Sequence, residues 1–317
     1  MTQTAVVICP GRGTYNQAEL GYLHRYHADA GPFLDELDRL RRARGQLALS
    51  ELDGADRFDP SVHTRGDNAS ALIYAASYLD TRAIHERYRV VGVTGNSMGW
   101  YTALAVAGAT TGKGAFEIVN TMGALMQQQM IGGQTVYPFV DEEWRAIPDR
   151  KSELLALVSD IGQRPGHALE TSIHLGGMLV VAGNRAGLQA FEAKVPPRQG
   201  RFPMRLANHA AFHTSLQEPV AAMGRAALPV GLFRKPRVPL VDGRGHLWFP
   251  GAFTAEHIRA YTLGAQVVTP YDFSAAIRVA ARSFAPDVFI IPGPGTTLGG
   301  GVAQALIDIN WRGLASK

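Results

Sequence analysis

Ser97 and the ten histidines are the residues of this chain best suited to nucleophilic chemistry. The serine lies in "VVGVTGNSMGWYTALAVAGA", Val90 to Ala109, where a β-branched apolar run gives way to a helix-like one. Gly95 and Gly99 flank it, so "GNSMG" fits the pattern G-x-S-x-G, which sets a serine on a tight strand-to-helix turn where side chains would clash. Such a turn aims the backbone N–H of the next residue, Met98, at an oxyanion formed above the hydroxyl. The plainer reading is that these residues only fit a turn, and among 35 glycines the pattern also arises by chance. A serine hydroxyl is a poor nucleophile at neutral pH and needs a base. Most of the histidines read as surface or hydrogen-bonded polar residues. His213, in "NHAAFHTSLQEP" just ahead of a helix-like segment, is the one whose context stands out.

The single cysteine, Cys9, excludes an internal disulfide and a cysteine-cluster metal site, and it fits a reducing, cytoplasmic setting. With 46% hydrophobic and 18% charged residues over 317 positions, the chain can bury a substantial core, as one large domain or one with a smaller insert. No apolar run reaches the roughly 18 residues needed to span a bilayer. The opening "MTQTAVVICPGRG" has no basic leader and reads as a first buried strand. A net charge of +4 is too small and too scattered to argue for nucleic acid. The densest basic run, "RLRRARG" from Arg39 to Gly45, reads as a solvated helix face.

Positioning elements follow from alternation along the chain. "AVVICPG" reads as a strand and "QAELGYLHRYHADAGPFLDELDRLRRARG" as helix-like. "ASALIYAASYLDTRAIHERY" reads as a helix, "RVVGVTG" as a strand, and "WYTALAVAGA" and "GAFEIVNTMGALMQQQM" as two more helices. Fully apolar strands separated by helices predict a parallel sheet covered on both faces. From Gly132–Gly133 to about Ala207 the elements shorten, and four strands with two helices predict a compact α+β insert. The α/β pattern resumes with "SLQEPVAAMGRAAL", "FSAAIRVAARSF", "DVFIIPGPG" and "TLGGGVAQALIDI".

Seven stretches in this order, "PGRGTY", "GNSMGWYTALAVAGA", "GALMQ", "VVAGN", "AFHTSLQEP", "QVVTPYDF" and "GPGTTLGG", resemble the malonyl-CoA:acyl carrier protein transacylases and the acyltransferase domains of polyketide synthases. The resemblance covers nearly the whole chain. It implies an α/β fold: an α/β-hydrolase-like catalytic domain at 1–132 and 208–317, with a ferredoxin-like inserted subdomain at 133–207. It implies Ser97 as the acyl-accepting nucleophile and His213 as its base, oriented by a backbone carbonyl in place of an acidic residue. Gln266 matches a glutamine near the active site, and that carbonyl is expected just beyond it or in "PGPG". The N–H groups of Met98 and Arg12 would form the oxyanion hole. The implied partners are an acyl carrier protein and acyl-CoA as substrate. No metal and no tightly bound cofactor is implied, the phosphopantetheine arm belonging to the carrier.

The chain departs from the family at telling positions. Asn96 stands where the elbow normally has histidine, Trp100 where it has glutamate, and Arg12 where the first motif has glutamine. Malonyl-specific members place an arginine just before the "G-x-x-M-Q" stretch to pair with the substrate carboxylate. Here that residue is Met122, which suits an uncharged acyl chain, unless Arg12 supplies the cation from another direction. Phe212 points the other way, toward malonyl, because a ring before the catalytic histidine would block branched substrates. Three rivals stay open beside the transferase. One is an acyl-carrier-protein hydrolase that edits stalled chains in a polyketide pathway. Another is a non-catalytic homologue that only binds a carrier protein. The third is a patatin-like lipase using Asp242 of "VDGRG".

Overall fold

Ten strands and the helices between them are described over residues 2–317 by a computed structural model. The strands are β1 (Thr4–Cys9), β2 (Arg89–Gly95), β3 (Gly133–Pro138), β4 (Leu169–Leu175), β5 (Met178–Gly183), β6 (Met204–Arg205), β7 (Leu240–Val241), β8 (Leu247–Trp248), β9 (Tyr271–Asp272) and β10 (Val288–Ile290). They form two five-stranded sheets, in the orders β10-β1-β2-β7-β8 and β6-β3-β5-β4-β9.

In the first sheet β10, β1, β2 and β7 run parallel and β8 closes one edge antiparallel. Every residue from Ala5 to Cys9 is fully buried. Because successive side chains of a strand face opposite ways, Val7 and Cys9 pack into one core while Val6 and Ile8 pack into another. Helices Gly66–Arg87, Gly99–Val106 and Gly112–Gln129 supply the first core, and Phe273–Phe284 supplies the second. This two-sided burial explains the continuous apolar run in the sequence. β1 and β2 stop level with one another, Cys9 opposite Gly95. The carboxyl ends of such strands are where open α/β sheets carry their sites.

The second sheet pairs β3, β4, β5 and β6 antiparallel and is backed by helices Arg150–Gly162 and Arg185–Lys194. Its fifth strand, β9, comes from much later in the chain and pairs parallel with β4. That strand sews the sheets together: the Tyr271 hydroxyl donates to the carbonyl of Gly95 at 2.5 Å.

Two expectations are corrected here. The helix-like segment after β1 breaks into short pieces, Gln17–Glu19, Tyr22–Tyr26 and Ala28–Ala30, before the helix Gly31–Arg42. Gly21 adopts a left-handed φ of 83°, and Pro32, which lacks an N–H, sits in the first turn of the last piece. The basic run is not wholly solvated either: Arg41 is completely buried. Among the described residues no helix is long and apolar enough to cross a membrane. Nor, among them, is any group of three or more His, Cys, Asp or Glu placed to hold a metal ion.

Candidate active site

The turn after β2 holds Ser97 in a left-handed conformation, φ 54°, which costs a non-glycine residue about 1–3 kcal/mol. The flanking glycines make that turn feasible. A Cβ on Gly95 would lie 2.3 Å from the backbone of Gly99, and one on Gly99 would lie 2.2 Å from the carbonyl oxygen of Cys9. The neighbouring turn after β1 fits as closely, since a Cβ on Gly11 would meet the carbonyl oxygen of Asn96 at 2.4 Å. The Asn96 N–H donates to the Cys9 carbonyl at 3.0 Å and its carbonyl accepts from Gly99 at 2.8 Å. Thus "PGRG" and "GNSMG" lie side by side at the ends of β1 and β2. Among the described residues neither the Met98 nor the Arg12 N–H donates to another group of the protein.

His213 also has a left-handed φ, 58°, and several bonds hold its segment. Its N–H donates to the Val267 carbonyl at 3.1 Å, Ala211 donates to Ile131 at 2.7 Å, and the Thr214 hydroxyl donates to Ala211 at 2.7 Å. The imidazole Nδ1 lies 2.7 Å from the Gln266 carbonyl and Nε2 lies 2.7 Å from Ser97 Oγ. A carbonyl only accepts, so Nδ1 carries the hydrogen and Nε2 offers its lone pair to the serine. Burial lowers the pKa of His213 to about 4, partly offset by the bond to Gln266, so the ring is a neutral acceptor at pH 7. The orienting carbonyl therefore belongs to Gln266 itself, not to a residue beyond it. The Gln266 side chain completes the brace: Nε2 donates to the Ser97 carbonyl at 3.1 Å, and Oε1 accepts from the Tyr101 hydroxyl at 3.0 Å.

Asp242 is not part of this arrangement. It anchors the turn between β7 and β8, accepting from the Arg244 side chain and N–H, the His246 N–H and the Trp248 indole. Trp100 likewise belongs to the core, its indole N–H donating to Thr262 at 2.9 Å. Burial pushes the Cys9 thiol far above its ordinary pKa, so it is no competing nucleophile.

Two hollows meet at Ser97. The inner one, about 20 Å³, is closed by Val119, Gly123 and Met126 of the helix Gly112–Gln129 together with Tyr101, Phe212 and Val267. The outer cleft, about 450 Å³, runs between the sheets and is walled by Val136, Ile173, Leu175, Met178 and Val180. Asn96 lines the outer cleft, its Oδ1 buried without a partner, while Arg12 and Phe212 line both hollows. Met122 does not line the inner hollow. It is fully buried with its sulfur against Gly224, where an added Cβ would lie 2.7 Å from Sδ. Positions 119, 122 and 126 are neighbours on the helix, but the Met122 side chain is spent on Gly224 of the helix Glu218–Ala227 and not on the hollow.

Sequence reasoning missed a relay behind the histidine. The Phe212 carbonyl accepts from Ser172 Oγ at 2.7 Å, Ser172 accepts from Gln134 Nε2 at 2.7 Å, and Gln134 Oε1 lies 2.8 Å from Nδ1 of His209. The terminal carbonyl fixes every direction, so His209 also carries its hydrogen on Nδ1. Tyr271, its ring 5.2 Å from that of His213, was missed as well, although it lies inside the quoted "QVVTPYDF".

No protein-family model matches the chain. Among curated proteins, the malonyl CoA-acyl carrier protein transacylase of Bacillus subtilis is 24% identical over 166 residues, and the match spans half of each chain. Among solved structures, the acyl-carrier-protein S-malonyltransferase of Burkholderia pseudomallei superposes with a TM-score of 0.77 at 21% identity, covering 96% of this chain and 93% of the other. The malonyl-CoA:acyl carrier protein transacylase of Xanthomonas oryzae gives 0.77 at 20% identity, covering 96% and 92%. This chain has the transacylase fold. A further neighbour with that fold, at TM-score 0.76, 19% identity and coverage of 96% and 93%, is a malonyl-transacylase in complex with its type II polyketide synthase acyl carrier protein.

Proposed function

We propose that the protein is an acyltransferase that moves an acyl group from coenzyme A to an acyl carrier protein through an acyl-Ser97 ester. The observation that carries this reading is the 2.7 Å contact between Ser97 Oγ and the lone-pair nitrogen of His213. In the first half-reaction Ser97 Oγ attacks the thioester carbonyl as its proton passes to His213 Nε2. The oxyanion collects between the N–H groups of Met98 and Arg12, and collapse expels the thiolate, which takes the proton from Nε2. In the second half the phosphopantetheine thiol of the carrier gives its proton to Nε2 and attacks the ester; collapse of this second oxyanion breaks the bond to Ser97 Oγ, which takes the proton back from Nε2. The imidazolium is transient, because a buried ring with so low a pKa returns its proton readily; the Gln266 carbonyl at Nδ1 steadies it meanwhile. The long apolar cleft between the sheets suits the pantetheine arm, and no tightly bound cofactor is needed.

In architectural terms we read the first sheet and its helices as the hydrolase-like catalytic domain and residues 133–207 as its ferredoxin-like insert. The named relatives support a place in fatty acid or polyketide biosynthesis, and we assign it to the cytoplasm, where acyl-CoA and carrier would meet. The inner hollow favours a short acyl group, and Phe212 at the junction of the hollows disfavours branching. Met122, withdrawn into the core, does not select an uncharged chain by contact.

Intact-protein mass spectrometry tests the proposal. Incubation with malonyl-, acetyl- and longer acyl-CoAs is expected to add one acyl mass to the wild type and none to Ser97→Ala. Added carrier protein should then gain that mass. Release of free acid with no carrier acylation would replace the transferase by the hydrolase, and absence of any adduct would leave a non-catalytic carrier-binding protein.

A further inference from the structure

His209 lines the outer cleft, and its chemistry there is set from behind. The relay behind it ends on the Phe212 main-chain oxygen, which can only accept. The one hydroxyl hydrogen of Ser172 therefore goes to Phe212, and Gln134 must turn its NH2 end to the serine. Gln134 Oε1 then accepts from His209 Nδ1, which leaves the lone pair on Nε2. Among the described residues nothing donates to that nitrogen, and it is not sealed away as the Asn96 Oδ1 is. Burial, and next the Arg12 charge, hold the His209 pKa well below its usual value, so the ring stays a neutral acceptor at pH 7. Around it the cleft wall is apolar, with Val136, Ile173 and Val180 among its residues. A fixed acceptor in an apolar wall suits a chain of methylene groups that carries an N–H, because that N–H would otherwise lose its water without replacement.

We propose that His209 Nε2 accepts a hydrogen bond from the pantetheine arm, at the amide N–H nearest the sulfur. This rests on the acyl-Ser97 reading above. The His209 ring lies 5.8 Å from that of Phe212, which borders the inner hollow together with Ser97. One side chain thus separates His209 from the reacting centre, and the amide nitrogen stands only two carbons from the sulfur. Coenzyme A and the carrier present the same arm, so one contact would serve both half-reactions. In the first it sets the thioester over Ser97 Oγ, and in the second it sets the carrier thiol beside His213 Nε2. His209 would read the arm and leave the choice of acyl group to the inner hollow.

The test compares two small donors of the acyl group that loads best from coenzyme A, by kcat/KM for acylation of Ser97. One is the N-acetylcysteamine thioester, and the other is the S-(4-oxopentyl) thioester, in which CH2 replaces the N–H. Wild type is expected to favour the amide by roughly 5- to 10-fold, the range of one neutral hydrogen bond. In His209→Phe the ratio should fall to one or below, since the N–H is then stranded. His209→Gln, whose Oε1 can stand in for Nε2, should keep part of it. Equal loading by the wild type, or an unchanged ratio in His209→Phe whatever its absolute rate, overturns the proposal. Should the variants not fold, the wild type alone decides by nitrogen-15 spectroscopy. The resonance of the unprotonated His209 Nε2 should shift on saturation with N-acetylcysteamine and stay in place with 5-sulfanylpentan-2-one; a shift with both or with neither overturns the proposal. If no donor loads Ser97, the acyl-enzyme reading has failed, and the nitrogen shift still decides for or against His209.

Discussion

Two arginines near the start of the helix Gly66–Arg87 show how differently one side chain can be used. Arg41 lies fully inside the protein with all three nitrogens engaged: Nε to Leu47, Nη1 to Asp67 and Asn120, and Nη2 to Asn68, at 2.5 to 2.9 Å. Arg12 borders the hollows at Ser97 with one nitrogen engaged twice and another buried unpaired. Burial lowers the pKa of both to about 10, so charge does not separate them. Satisfaction does. A cation whose every nitrogen is engaged is part of the framework, and one left with a buried nitrogen unengaged beside a nucleophile has a donor to spare.

The largest effect that would break this contrast is on stability. Arg41→Met strands two asparagine side chains and two backbone carbonyls in the core, and should cost about 3–5 kcal/mol. Arg12→Met strands only the carbonyls of Thr64 and Asn208 and removes a desolvated charge that Asp67 offsets only in part, so about 1–2 kcal/mol is expected. Urea unfolding of both variants measures the difference. Equal losses would mean that Arg12 is framework too.

A smaller effect comes from pH, where the buried histidines contrast with both arginines by giving up their charge. Burial lowers the pKa of His213 to about 4, and burial followed by the nearby Arg12 charge lowers that of His209 well below its usual value. Unfolded histidines take up protons near pH 6.5. Between pH 6.5 and 4 the unfolded chain therefore binds more protons than the folded one, and stability falls as pH falls through that window. His213 alone contributes up to about 3 kcal/mol of this loss by pH 4, at ~1.4 kcal/mol per pKa unit. Arg12→Met should make the slope shallower by relieving His209, whereas Arg41→Met should leave it unchanged. Thermal unfolding at pH 7, 6 and 5 reads both slopes, and parallel slopes would show that the Arg12 charge does not reach the site.

What the sequence made legible follows the same division between side chains and main chain. The elbow at Ser97 could be read because its glycines leave a spacing signature, and the apolar runs of β1 and β2 could be read because both faces of the sheet are covered. His213 needed a family resemblance to be singled out from ten histidines. The Gln266 carbonyl was expected elsewhere because a backbone oxygen leaves no mark on residue type. Met122 was read as a substrate contact from its place in a motif, yet its sulfur packs on Gly224, a neighbour that only the tertiary fold supplies. Arg41 was read as solvated because its neighbours in sequence are charged. Its burial depends on Asn68 and Asn120, which only the tertiary fold brings to it.

The smallest effect tests whether satisfied groups can still matter for catalysis. Ser172 touches neither hollow, yet its hydroxyl holds the Phe212 carbonyl and thereby the strained backbone that presents His213. Ser172→Ala removes one bond to that carbonyl and leaves Gln134 Nε2 without its acceptor, a loss of about 1–2 kcal/mol. If this is felt as misplacement of the imidazole, kcat for acyl transfer should fall about tenfold with KM nearly constant, and Ser172→Thr should restore most of it by returning the hydroxyl. If the residue is only framework, like Arg41, unfolding free energy will drop while kcat of the folded protein stays put. The two outcomes separate because strain at His213 acts on the angle of one proton transfer, whereas framework loss acts on the whole fold.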